Sequence, residues 1–316
     1  MPRSCVRASA RPAPSVTELL AALPQFFLFR DGAPTLLLTG RYDWPLVLLS
    51  LAVASLTSAL ALQVAGMAKP AKGWRRQLML ATGALALGGG IWSMHFIGML
   101  AFQLCAQIAF DAHITAMSMA PALVASWVAL ALLARHQLEV WRLIVGGVLV
   151  GAGIGAMHYM GMAAMEMSVA LRYDPVWFGA SIVVAVLLAM LALWIRFGLA
   201  GRIPRHWAIA LGGVVMGCAI AGMHYTAMGA ARFVGLGDGP CNSSIENAGW
   251  LALAVTVMTL AISAITAGAN GLLALRRLNT DLMDERRRML TMEQALRDSE
   301  TKYRTVIANS PGVTFR

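Results

Sequence analysis

From Trp44 onward the chain alternates between long apolar runs and short polar loops. Each run is about 20 residues long, enough to cross a bilayer core as a helix. Seven spans are predicted: Pro45–Met67, Gln77–Ala101, Thr115–Ala134, Leu143–Met165, Val176–Ile195, Ala208–Ala230 and Trp250–Gly271. Trp44, Trp74, Trp141, Trp177, Trp207 and Trp250 stand near their ends, where amphipathic rings sit at headgroup level. Past Gly271 the period changes. Leu275, Leu278, Leu282, Glu285, Met289, Met292, Leu296, Ser299, Tyr303 and Val306 follow one another by threes and fours, the seam of a coiled coil. The seam predicts a cytoplasmic signalling helix over 272–304 that pairs as a homodimer through 275–306. An amphipathic helix lying on its own protein is the alternative. Residues 1–43 hold Arg3, Arg7, Arg11, Arg30 and Arg41 and a short apolar run broken by Pro24. They are expected to be an outside or interfacial tail, with a signal peptide as the alternative.

Composition agrees with a membrane protein. Only 13% of the 316 residues are charged and 59% are apolar, with a mean hydropathy of +0.68, whereas soluble domains carry about 25% charged residues. The net charge of +10 does not point to nucleic acid once the cations are placed. Lys69, Lys72, Arg75, Arg76, Arg135, Arg142, Arg196, Arg202 and Arg205 fall in loops on one side, against Arg172 and Arg232 on the other. The positive-inside rule then puts the N-terminus outside and the C-terminus in the cytoplasm.

The polar residues inside the spans are more informative. Met94-His95-Phe96-Ile97-Gly98-Met99, Met157-His158-Tyr159-Met160-Gly161-Met162 and Met223-His224-Tyr225-Thr226-Ala227-Met228 share one pattern, Met-His-x-x-(Gly/Ala)-Met. The histidines are 63 and 66 residues apart, the length of a tandem two-helix repeat. Each lies 15 to 18 residues into its predicted span, roughly 22 to 27 Å from the cytoplasmic edge. All three motif helices run the same way, so the motifs form one layer beneath the outer surface. His and the Met four residues later share a helix face, and the preceding Met lies about 100° to the side. Three such faces can offer imidazole and thioether to one metal, and copper suits both donors. Polar glue and core filling are the competing reading. Glycines before each motif (Gly88 to Gly90, Gly151, Gly153, Gly155, Gly212, Gly213, Gly217, Gly222) are expected to allow close helix approach.

These motifs resemble the MHYT domain, named for residues such as those at 223–226, and the resemblance covers roughly Tyr42 to Ala274. It implies an all-α, seven-transmembrane bacterial sensor domain over 44–271, with a copper site near the outer face. Such a sensor would sit in the bacterial inner membrane and detect oxygen, carbon monoxide, nitric oxide or redox state. By the resemblance Met94, His95, Met157, His158, Tyr159, Met223, His224 and Tyr225 are the candidate site residues, and the shared helix faces add Met99, Met162 and Met228. Phe96 departs from the family pattern. Output domains in such proteins commonly act in cyclic-di-GMP turnover or as histidine kinases, and no catalytic constellation appears in this chain. A haem held by two of the histidines, or a copper or small-solute transporter, remain the alternative readings.

Other positions are weaker candidates. Asp111, His113, Met117, Met119, Met165, Glu166 and Met167 fall in outer loops and could pass soft metal inward or simply end the spans. Cys105 and Cys241 are expected on the outer side, where a disulfide persists, and Cys218 is expected to be buried. Residues 305–316, with the preceding Asp298 to Arg304, resemble the opening of a PAS domain.

Overall fold

The computed structural model describes residues 26–28, 37–135, 139–198, 204–237 and 248–308. The chain divides into two units, residues 1–266 and 267–316. The first holds helices α1 (Trp44–Ala68), α2 (Gly73–Leu100), α3 (Ala112–Met117), α4 (Met119–Leu133), α5 (Val140–Ala163), α6 (Pro175–Gly198) and α7 (Arg205–Ala230). A last helix, α8, runs from Ala248 to Ala308 and belongs to both. Among the described residues seven helices, with α3 and α4 counted as one span, are long and apolar enough to cross a membrane. The protein is therefore an all-α membrane protein.

Six spans close into a ring. Helix α1 packs on α2, α2 on α4, α4 on α5, α5 on α6, α6 on α7, and α7 returns to α1. The ring is three successive helix pairs, and the second helix of each pair carries a histidine motif. Lipid offers no hydrophobic drive for helices to associate, so close backbone approach has to hold them. Glycine provides it at equivalent places. Gly88, Gly151 and Gly217 each precede a motif histidine by seven residues, two helical turns. A Cβ on them would stand 3.0, 2.7 and 2.7 Å from the Cα of Leu123, Val186 and Ser55 on the neighbouring pair's first helix.

Short strands, which the apolar pattern did not predict, finish each pair at one end. Strand β2 (Arg41–Tyr42) pairs with β3 (Phe102–Gln103). In the same way β4 (Ile108–Phe110) pairs with β5 (Met165–Met167), and β6 (Ala170–Tyr173) with β7 (Ala231–Val234). Strand β1 (Leu37–Leu38) adds to β7. Each pair is thus strand, helix, helix, strand, with its two ends joined antiparallel. An aspartate follows the first strand each time. The backbone N–H of Asp43, Asp111 and Asp174 donates to the carbonyl of Ala101, Ala164 and Ala230 at the end of the motif helix. Its carboxylate accepts from Leu46, Ile114 or Val176 and Trp177 in the first turn of the outer helix, satisfying donors that helix geometry leaves open.

The seventh span contributes a polar stripe. Thr256, Thr259, Ser263 and Thr266 are buried. The Thr259 hydroxyl pairs with Ser93 on α2, two residues before His95, and Ala252 and Val255 pack with Val53, Ile97 and Leu100. Cys218 is exposed, correcting the expectation that it is buried. Its neighbours Met216 and Gly217 take the inward face of α7, which turns Cys218 outward.

In the second unit the described residues, 267–308, are entirely helical. Leu275, Leu278, Leu282, Met289, Met292, Leu296, Tyr303 and Val306 are all exposed. Arg297 pairs with Glu293 and Arg304 with Glu300 one turn back, and such exposed pairs add only about 0.3–0.5 kcal/mol each. Residues 309–316 of the segment resembling a PAS opening lie outside the described residues.

Candidate metal centre

Helices α2, α5 and α7 meet in the middle of the ring at their histidines. His95, His158 and His224 are fully buried. Their Nδ1 atoms form a near-equilateral triangle with sides of 3.1 Å (His158–His95), 3.2 Å (His95–His224) and 3.2 Å (His224–His158). The rings stand almost perpendicular to one another, at 81°, 83° and 78°, like vanes of a pinwheel.

Protons alone cannot satisfy this triangle. Each contact needs one N–H and one lone pair, and a neutral imidazole Nδ1 offers only one of these. With three mutual contacts, at least one pair must be like facing like. All three Nε2 atoms are also buried without a hydrogen-bond partner, and an unsatisfied buried polar group costs about 1–3 kcal/mol. A cation accepting three lone pairs removes the conflict among the Nδ1 atoms and leaves each Nε2 as the protonated nitrogen. The triangle's centre lies about 1.8 Å from each nitrogen, close to the roughly 2.0–2.1 Å of a metal–imidazole bond. The donor set therefore fits a metal ion.

The small residue in each motif makes room for an imidazole. A Cβ on Gly161 would stand 2.2 Å from His95 Nε2, and one on Gly98 would stand 2.5 Å from His224 Nε2. Ala227 holds the same position in the third motif and is fully buried.

The methionines divide between two layers. Met94, Met157 and Met223 join the large core cluster together with Ile91, Ile154 and Ile220, each one turn before a histidine. Met99, Met162 and Met228 join the cluster beneath the strands, with Tyr173 and Phe233. The three isoleucines and Met223 also line an apolar cavity of about 30 Å³, room for one very small molecule.

Tyr159 and Tyr225 are bound by neighbouring helices. Their hydroxyls meet Ser181 Oγ at 2.6 Å and Ser50 Oγ at 3.0 Å. Each serine donates its own proton to the carbonyl three residues back, Phe178 or Val47, so each tyrosine is the donor. In the first motif Phe96 has no hydroxyl to give. There the Trp92 indole donates to Ser118 Oγ at 3.1 Å, and Ser118 donates to Thr115. Phe96 packs on that indole, 4.6 Å between centroids. Outside the spans, burial, with Tyr225 adding, pushes Tyr42 up to about 12, and burial likewise raises Tyr173.

The loop residues that the sequence offered as weaker candidates do not join this centre. Asp111 is a helix cap, His113 and Glu166 are exposed, and Met117 is 65% exposed. Met165 and Met167 pack into the outer cluster, and Met119 lines a groove beside Trp92 and Thr259. Cys105 is disulfide-bonded, and its expected partner Cys241 lies outside the described residues. Sequence reasoning missed the serines at 50, 118 and 181 and the aspartates at 43 and 174, and it read Asp111 as a possible metal-passing residue where the structure has a helix cap. An aromatic-Asp dipeptide opening each helix pair, Tyr42-Asp43, Phe110-Asp111 and Tyr173-Asp174, was the available signal.

The family model described as "Bacterial signalling protein N terminal repeat", MHYT, matches residues 88–146 and 151–213. Each match begins at a glycine that contacts the next pair, Gly88 or Gly151. Over 231 residues, 72% of its length, the chain is 46% identical to the bifunctional diguanylate cyclase/cyclic di-GMP phosphodiesterase MucR of Pseudomonas aeruginosa, covering 34% of that protein. It is 35% identical over 195 residues, 61% of its length, to the signaling protein YkoW of Bacillus subtilis, covering 24% of it. It is also 35% identical over 150 residues, 47% of its length, to the cyclic di-GMP phosphodiesterase NbdA of Pseudomonas aeruginosa, covering 19% of it. The chain thus spans about a third or less of these relatives' own length. No solved structure matches it. Two copies of the repeat are matched in sequence and a third, carrying His224, completes the ring, so the chain belongs to the MHYT family of bacterial signalling proteins.

Proposed function

We propose that this chain is the membrane sensor module of a signalling protein, and that His95, His158 and His224 bind copper through their Nδ1 atoms. The observation that carries this reading is the triangle of three buried nitrogens, which no set of protons satisfies and one cation does. Copper is favoured by imidazole ligands set between two layers of methionine. When bound, copper supplies a redox-active centre able to take a diatomic gas such as O2, CO or NO. The protein's residues orient the imidazoles, exclude water, and leave a small apolar cavity one turn away for such a molecule. Haem is disfavoured, because nitrogens in mutual contact cannot straddle a porphyrin. The cation-rich loops favour a cytoplasmic C-terminus, and the exposed seam of α8 favours a homodimer that passes the signal on. The names of MucR and NbdA suggest cyclic-di-GMP turnover as the output.

Metal analysis of the purified chain beside His95→Ala, His158→Ala and His224→Ala tests the site. About one copper per chain, lost in every variant, is expected for a site with three ligands. Copper content unchanged in all three variants, or absent from the wild type, would end the assignment.

A further inference from the structure

At the end of the ring opposite the strands, the loop between α1 and α2 and the end of α4 enclose an open cavity of about 540 Å³. Its walls carry Lys69, Lys72, Arg76 and Arg135, and Ala71 and Ala134 form a buried floor. Among the described residues no carboxylate lines it. In sequence, the acidic residues closest to these cations on this side begin at Glu139, which already engages Arg142 and the Trp141 indole. The 28-residue helix α2 also starts at the cavity. Its N-cap, Lys72, makes no side-chain capping bond, so the first-turn N–H groups and the positive end of the helix dipole add to the same field. Gly73, with φ of 59°, has nothing within 4 Å of where a Cβ would be, so the backbone itself is open to a ligand. Beside it Trp74 is 70% exposed and Arg75 lies over its ring, the pairing expected at headgroup depth.

We propose that this cavity binds the phosphate group of an anionic membrane lipid. Loop cations alone would satisfy the positive-inside rule anywhere along the loops. Here four of them, from two separate segments of the chain, surround one space beside an uncapped helix start. The depth is right for a headgroup, since α1, α2 and α4 all end or begin there. A lipid phosphate answers Lys72, Arg76 and Arg135 and the helix N-terminus together, and its acyl chains can leave along the lipid-facing side. This inference is independent of the copper reading.

The test uses the full chain in nanodiscs of phosphatidylcholine, titrated with fluorescent phosphatidylglycerol or fluorescent phosphatidylcholine. Phosphatidylglycerol is expected to associate preferentially, and Lys72→Ala with Arg76→Ala and Arg135→Ala to reduce that preference by roughly a hundredfold. Arg142→Ala removes a cation from the same end but outside the cavity, and should leave the preference unchanged. Lys72→Ala alone, at an exposed position, should lower the preference without disturbing the fold, as read by helical circular dichroism. No preference in the wild type, or an equal loss in Arg142→Ala, would overturn the proposal. So would equal displacement of both lipids by millimolar inorganic phosphate, which would mark a site for free phosphate.

Discussion

Gly161 stands against the Nε2 edge of His95, so close that a methyl group added to it would fall 2.2 Å from that nitrogen. The contact links the second motif's backbone to the first motif's histidine. Gly161→Ala should therefore push His95 out of the triangle. A loss of about 1–3 kcal/mol in unfolding free energy is expected, typical of overpacking, together with weakened copper retention. Gly179→Ala, where nothing lies within 4 Å, should stay close to wild type. Equal thermal unfolding of the two variants would show that His95 moves freely.

The helix pairs should be more sensitive still. At Gly151 the obstruction is backbone, with Val186 Cα at 2.7 Å, and backbone cannot rotate away as a side chain can. Gly151→Ala should force α5 and α6 apart. Its thermal unfolding is expected to be lower than that of Gly89→Ala on α2, which meets nothing.

Tyr159 and Tyr225 give their protons to Ser181 and Ser50. Tyr159→Phe should keep its copper and lose about 1 kcal/mol of stability, the usual worth of one hydrogen bond. Copper analysis of this variant decides the point, since loss of the metal would make the hydroxyl a ligand.

Ser93 and Thr259 join the first motif helix to α8. Thr259→Val keeps the side chain's shape and leaves the Ser93 hydroxyl buried without that partner. A destabilisation of about 1–3 kcal/mol is expected, and Ser93→Ala with Thr259→Val should recover part of it. A double-mutant cycle by thermal unfolding measures the coupling.

The spans and the common level of the histidines were legible because both depend on periodicity along one helix. His95, His158 and His224 recur at near-equal intervals, and the apolar runs have bilayer length. Ring closure was not legible, because contacts between α7 and α1 join residues such as Gly217 and Ser55 far apart in sequence. The strands were missed because stretches as short as Arg41–Tyr42 have no alternation to read. The tyrosines read as ligands from their place beside histidine, but ring direction depends on the neighbouring helix, where Ser50 and Ser181 wait. Phe96 reads as a defect of the first motif, whereas Trp92, one turn earlier, fills the same role from another position.

Because α7 comes back to α1, the number of modules is set by geometry. Each helix pair brings one imidazole and leans on the next, so two pairs would leave an open groove and four would spread the nitrogens beyond reach of a single ion. Gain or loss of a module would abolish the centre at a stroke, and the three copies can diverge in detail but not in number.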